Sequence, residues 1–190
     1  MKIAILDSGV HAEHPHVGAI AAGFDATGST EDWVDRTGHG TAVAGAIRSH
    51  APGAQLYVVK IFRGGLRTNI DIVLRGVEWA LEQGVDVINL SLGTGNPEHA
   101  GRFAEWVKRG GVWVSAAGRY PGQIEGVVGV ESDASLERDQ WRWNGEWEVY
   151  ASPYPREIPG VPRERNLSGV SFAVANVSGL IAARGWPPAR

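Results

Sequence analysis

The chain has no cysteine in its 190 residues, which excludes disulfides and thiolate metal sites and removes a common stabiliser of secreted proteins. An excess of positive charge is also missing. Eighteen Lys and Arg stand against 21 Asp and Glu, a formal net charge of -3, so there is no basic field to attract nucleic acid or an anionic membrane, and neither is expected as a partner. No apolar run is long enough for a transmembrane helix, and there are no repeats or low-complexity tracts. Nucleotide-binding fingerprints are absent too: the first apolar run turns at Asp7-Ser8-Gly9 without the G-x-G-x-x-G that lets a backbone approach a pyrophosphate, and there is no Walker loop. Because Met1 to Asp7 reads directly as a strand, no signal peptide, transit segment or pro-segment is expected, and the expected compartment is the cytoplasm.

What is present is an ordinary globular composition, 43% hydrophobic and 21% charged, sized for one domain over residues 1–190. Apolar runs rich in Val and Ile alternate with segments of helical period, the pattern of a mainly parallel sheet covered by helices on both faces, an α/β three-layer architecture. Strands are predicted at Lys2 to Leu6, Gln55 to Phe62, Val85 to Leu90, Val112 to Ala116 and Ile124 to Val130. Helices are predicted at His39 to Ser49, Asn69 to Glu82, Pro97 to Arg109 and Ser171 to Arg184. In the second, Asn69 is the expected cap, with Ile70, Val73, Val77, Ala80 and Leu81 on one face, and Gly84 and Gly110-Gly111 are expected to stop their helices. The run Gln140 to Val149 carries Asn144-Gly145 between apolar-polar alternations and predicts a hairpin with a two-residue turn, Trp141, Trp143 and Trp147 sharing one face as an aromatic lid on the core. Pro153 to Pro162 is expected to be a surface loop.

Three distant segments carry the chemistry: Ala4-Ile5-Leu6-Asp7-Ser8-Gly9, Gly38-His39-Gly40-Thr41-Ala42-Val43-Ala44-Gly45 and Ser168-Gly169-Val170-Ser171-Phe172-Ala173. Singly they read as an Asx-type turn, a capping histidine and an N-cap serine. Jointly they supply a carboxylate, an imidazole and a hydroxyl in the chain order Asp, His, Ser, one of the orders in which acyl-transfer triads are built. Asp7 falls where a strand ends, the place where open α/β sheets put their sites, and His39 and Ser171 each start a helix. The Ser171 N–H is then one of the free donors of a helix N-terminus, available to an oxyanion.

At these three places, and at Ala51 to Lys60 and Val87 to Gly93 between them, the chain closely resembles the subtilisin-like serine peptidase family. The resemblance covers almost the whole chain. It implies a serine endopeptidase working through an acyl-enzyme intermediate on a peptide or protein, with no cofactor, in which Ser171 attacks, His39 shuttles the proton and Asp7 orients His39. It further implies that substrate lies as a strand beside Ser91, Leu92 and Gly93, over a pocket floor of Ala116, Ala117 and Gly118. The pattern departs from the family where its oxyanion asparagine is replaced by Arg119, with Tyr120-Pro121 following at once, and at Val170, Ala175, Asn176 and Ala42. Arg119 is the expected second oxyanion donor, its guanidinium standing in for an amide, the alternative being that it pairs with a surface carboxylate. The alternative that these departures raise is a catalytically weak or inactive peptide-binding module, or one that needs a partner protein to complete the oxyanion hole.

Two other clusters carry oxygen or imidazole groups of the kind that bind metals. Glu31, Asp32 and Asp35 lack a recognisable spaced calcium loop and are expected to be a solvated acidic loop, and His11, His14 and His16 do not specify a closed zinc geometry, so no metal is expected.

Overall fold

The computed structural model describes residues 1–29, 32–62 and 64–186; Glu31 lies outside them. The strands are β1 (Lys2–Asp7), β2 (Ile20–Asp25), β3 (Gln55–Lys60), β4 (Val87–Leu90), β5 (Val112–Ala116), β6 (Val127–Ser132), β7 (Trp141–Trp143) and β8 (Glu148–Ala151). The helices are α1 (His39–His50), α2 (Ile70–Glu82), α3 (His99–Val107) and α4 (Val170–Arg184). All strands form one sheet in the order β2-β3-β1-β4-β5-β6-β8-β7, parallel throughout except for the antiparallel β7–β8 pair.

Strand alternation sorts the apolar side chains into two cores. Ile3 and Ile5 of β1 face one core with Val43, Ala46 and Ile47 of α1 and Val174 and Val177 of α4. Ala4 and Leu6 face the other with Val73, Val77 and Ala80 of α2 and Phe103 of α3. The result is the three-layer α/β arrangement predicted, in which each fully buried Leu or Ile contributes about 1.5–3 kcal/mol. The chain begins in the middle of its sheet, with β2 and β3 on one side of β1 and β4 on the other. That reversal opens a crevice at the carboxyl end of β1, where Asp7 stands.

Asn69 caps α2 as expected, its side chain accepting from Ile72 N at 3.0 Å, and Gly84, Gly110 and Gly111 all take positive φ after their helices. Two expectations change. The edge strand β2 was not foreseen, because Ala21-Ala22-Gly23 has little strand propensity; Gly23 is needed there, since a Cβ would come within 2.3 Å of the Trp33 indole. The hairpin exists, but strand pairing stops at Trp143 and Val149, and Asn144 N donates to Glu148 O at 2.8 Å around a three-residue loop rather than a two-residue turn. A two-residue turn would set Trp147 opposite Arg142, on the face away from Trp141 and Trp143. The longer loop frees it to join them, and all three indoles gather on Trp186 at centroid separations of 6.0, 5.2 and 6.3 Å.

Candidate active site

β1 delivers Asp7 to the crevice almost fully buried, and α1 begins beside it with His39. The approach depends on Gly40, where a Cβ would lie 2.1 Å from Gly9 O and 3.1 Å from Asp7 Cβ. With glycine there, His39 Nδ1 comes within 2.7 Å of Asp7 Oδ1, which also accepts the Ser8 N–H at 2.7 Å. Asp7 Oδ2 is buried with no hydrogen-bond partner among the described residues.

A second carboxylate organises this end of α1. Asp35 Oδ1 accepts from Ser8 Oγ (2.9 Å), Thr37 N (2.8 Å), Thr37 Oγ1 (3.0 Å) and Gly38 N (2.9 Å), while Oδ2 accepts from Thr41 N (2.9 Å) and Thr41 Oγ1 (2.6 Å). Ser8 Oγ in turn accepts from Gly40 N at 3.0 Å. Asp35 is therefore not part of a solvated acidic loop: it is buried, because the helix start presents unpaired N–H groups that a carboxylate can satisfy. Burial pushes the Asp35 carboxyl upward, but the donors from Thr41, Thr37 and Gly38 outweigh it and hold it below the usual carboxylate value. Asp32 is on the surface, paired with Arg36 at 2.8 Å. Among the described residues no group of His, Asp and Glu is placed to hold a metal ion.

His39 feels the two carboxylates. Burial is the largest influence and pushes its pKa down, yet the hydrogen bond and charge of Asp7, with the charge of Asp35, leave it raised above the ordinary histidine value. Its ring lies 5.6 Å from that of Phe172, the residue after Ser171.

Ser171 is the second residue of α4, and no backbone acceptor among the described residues takes its N–H. Its hydroxyl donates to the Ser91 carbonyl at 3.2 Å and makes no hydrogen bond with His39. A buried polar chain fixes the backbone here. Ser178 Oγ donates to Asn89 Oδ1 (2.9 Å), Asn89 Nδ2 to Ser91 Oγ (3.1 Å), and Ser91 Oγ to the Ser171 carbonyl (2.9 Å). The role of Asn89 was missed because nothing in Val87-Ile88-Asn89-Leu90 distinguishes a buried amide from a strand interruption.

Ser91, Leu92 and Gly93 line a cleft of about 500 Å³ together with His39 and Ser171. Ala116, Ala117, Gly118 and Arg119 do not. Ala116 is buried at the end of β5, and the segment after Gly118 folds back so that Thr94 and Tyr120 exchange two backbone hydrogen bonds of 2.9 Å. This closes the shortened loop across Gly93. A Cβ on Gly93 would sit 2.8 Å from Arg119 Cβ, and although the Arg119 carbonyl accepts from Gln123 N at 3.0 Å, the exposed side chain makes no hydrogen bond or ion pair among the described residues.

A family model described as the subtilase family matches residues 1–184. The chain belongs to the subtilase family. This subtilase is 31% identical to the thermostable alkaline protease of Halalkalibacterium halodurans, over 95% of its own length and 55% of that protein's. It is 31% identical to the major intracellular serine protease of Bacillus subtilis, over 96% of its length and 67% of the relative's. It is 28% identical to subtilisin E of Bacillus subtilis, of which it spans 51%. Its fold superposes on the crystal structure of a cold adapted subtilisin-like serine proteinase with a TM-score of 0.75 at 23% identity, over 95% of this chain and 73% of that one. The chain thus spans between half and three quarters of these proteins.

Proposed function

We propose that this subtilase is a serine endopeptidase that hydrolyses peptide bonds through an acyl-enzyme intermediate. The observation that carries the reading is the 2.7 Å contact between Asp7 Oδ1 and His39 Nδ1, in a cleft shared with Ser171. With Nδ1 held by the carboxylate, Nε2 is the nitrogen left to accept a proton, and a rotation about the Ser171 Cα–Cβ bond brings Oγ from the Ser91 carbonyl to that acceptor. Oγ then attacks the substrate carbonyl carbon while its proton passes to His39, and the free Ser171 N–H receives the developing oxyanion. His39 returns the proton to the leaving amine, and water repeats the sequence on the ester. Arg119 is the proposed second oxyanion donor: its stem crosses Gly93, and it must carry its guanidinium past that residue to reach the reacting carbonyl.

The acyl part of the substrate lies along Ser91 to Gly93, and the Thr94–Tyr120 closure narrows the site in favour of one peptide or protein over broad digestion. The name of the B. subtilis relative supports action inside the cell, and among the described residues no helix is long and apolar enough to cross a membrane. A second reading, a module that holds peptides without cutting them, is favoured by the Ser171 hydroxyl being committed to Ser91 and by the exposed Arg119.

The test is labelling by a fluorophosphonate probe with Ser171→Ala and His39→Ala as controls. Labelling that disappears in both variants is the expected result; a folded wild type that never labels would establish the second reading. Rapid digestion of casein would remove the selectivity.

A further inference from the structure

We infer that the leaving-group side of this cleft continues into a basic track along α1 that binds an acidic stretch of the substrate polypeptide, about four to six residues after the scissile bond. The inference rests on the protease reading above and adds a substrate class to it.

With the acyl part on Ser91 to Gly93, the leaving part exits on the opposite side of Ser171. There a hollow of about 350 Å³ is walled by Thr37, Gly38 and Leu167. Gly38 and Leu167 also wall a second hollow, of about 330 Å³, which holds His11, His14 and His16. Arg156 and Ile158 are shared between that hollow and a third, of about 780 Å³. The three are consecutive stations of one path.

Helix α1 gives the path its direction. Thr41 and Ala42 line the second hollow, and Arg48 and Ser49 line the third. Each pair is separated by seven residues and so lies on one helical face. His16 packs over that face, where a Cβ on Gly45 would be 3.2 Å from His16 Cβ. From His39 to Arg48 the helix rises roughly 14 Å, which an extended peptide crosses in about four residues.

The far end is cationic. Arg48, Arg138, Arg156 and Arg163 face Glu157, the only carboxylate among the described residues that line the third hollow, on a molecule whose net charge is -3. Arg48 donates to the carbonyls of Val17, Ala19, Pro52 and Ala54, Arg138 to Ser49 Oγ and Arg156 to the His16 carbonyl. Neutral acceptors fix these guanidinium groups without cancelling their charge. Arg163 differs, with Glu137 at 3.5 Å. In the second hollow Asp35 keeps its charge and opposes an anion, so the acidic side chains are assigned beyond it, at the third hollow. Carboxylates presented in a flexible chain suit such a surface: Arg156, with one donation to the His16 carbonyl, keeps N–H groups for paired hydrogen bonds, and Arg48, four of whose five N–H groups are taken, adds charge.

The experiment uses the Ser171→Ala protein, which binds without cutting, and fluorescence anisotropy with three labelled decapeptides of one sequence. One carries three Glu in its trailing half, one carries Gln there, and one carries the Glu in its leading half. At low salt the trailing-Glu peptide is expected to bind about tenfold more tightly than either other peptide, and 0.5 M salt is expected to erase the gain, the trapped charges being screened at that strength. Arg156→Glu is expected to reduce the trailing-Glu peptide to the affinity of the Gln peptide and leave the Gln peptide unchanged. Equal binding of Glu and Gln peptides, no dependence on which half is acidic, or a preference that survives Arg156→Glu in folded protein would each overturn the inference. Fluorophosphonate labelling of the unmutated protein reports separately on the protease reading, so the two fail in different assays.

Discussion

The two ends of α1 carry histidines of opposite character. His39 at the amino end and His50 at the carboxyl end are both half-buried, and burial presses both toward the neutral form. At His39, Asp7 and Asp35 overturn that pressure and its pKa is raised. At His50 it wins. The Nε2 of His50 meets Asn176 Oδ1 at 3.0 Å, and although that bond and the charge of Asp139 push upward, burial with Arg138 and Arg184 leaves the pKa lowered. One helix thus holds a histidine whose pKa is raised by its carboxylate neighbours at one end and, between α1 and α4 at the other, one whose pKa is lowered by burial and nearby arginines. The lesson is that desolvation is common to both sites, and the sign of the shift is decided by which formal charges face the ring.

The strongest way to break this contrast is to remove the charge that makes His39 different. Asp7→Asn is expected to lower kcat/KM by about 10⁴-fold, since the imidazole loses its orienting acceptor, and to move the His39 titration, followed by NMR, downward toward the behaviour of His50. Gly40→Ala attacks the distance instead of the charge. With a Cβ 2.1 Å from Gly9 O, α1 must withdraw from Asp7, and a loss of about 10²-fold in kcat/KM with about 2–3 kcal/mol of stability is expected in paired kinetic and urea measurements. Asp35→Asn keeps the shape but turns an NH₂ toward donors; about 2 kcal/mol of stability and about tenfold in kcat/KM should be lost, with the His39 titration again moving down.

The pH profile sharpens the contrast without mutation. His39 must be neutral to accept a proton, so the ascending limb of kcat/KM is expected to have its midpoint above 6.5. The effects on stability have opposite signs. The stabilisation from the raised pKa of His39 is complete below 6.5 and is lost as pH rises through its folded value, whereas the depressed pKa of His50 withdraws stability as pH falls below 6.5, because the unfolded chain then binds the proton more readily. His50→Gln should therefore raise the Tm at pH 5 relative to that at pH 8, compared with the unmutated protein, while leaving kcat/KM unchanged, the smallest effect of the set.

Much of this was legible in the residues. The helix containing His39, the strand ending at Asp7 and the helix containing Ser171 are each specified locally, by an apolar run and a glycine within a few residues. Asp35 was misread as a solvated acid, because its partners Ser8, Thr37, Gly38 and Thr41 converge only when the loop before α1 folds onto β1. The hairpin around Asn144-Gly145 was seen, but its loop length follows from packing Trp147 against Trp186, a contact across 39 positions that no turn propensity contains. Strand β2 escaped for the same reason, its Gly23 being required by Trp33 rather than by any strand pattern.

The sequence alone determined the layered class, the order and identity of Asp7, His39 and Ser171, and the presence of Arg119 directly after Ala116-Ala117-Gly118, because periodicity and short motifs are properties of neighbouring residues. Only the tertiary structure decided that Asp35 joins Asp7 in raising the pKa of His39, that Arg119 lies across Gly93, that the Ser171 hydroxyl rests on Ser91, and that four arginines from α1 and the 138–163 region meet in one hollow. Those depend on which surfaces the parallel sheet brings together, and Coulomb and hydrogen-bond energies are set by distances that do not exist until the chain has folded.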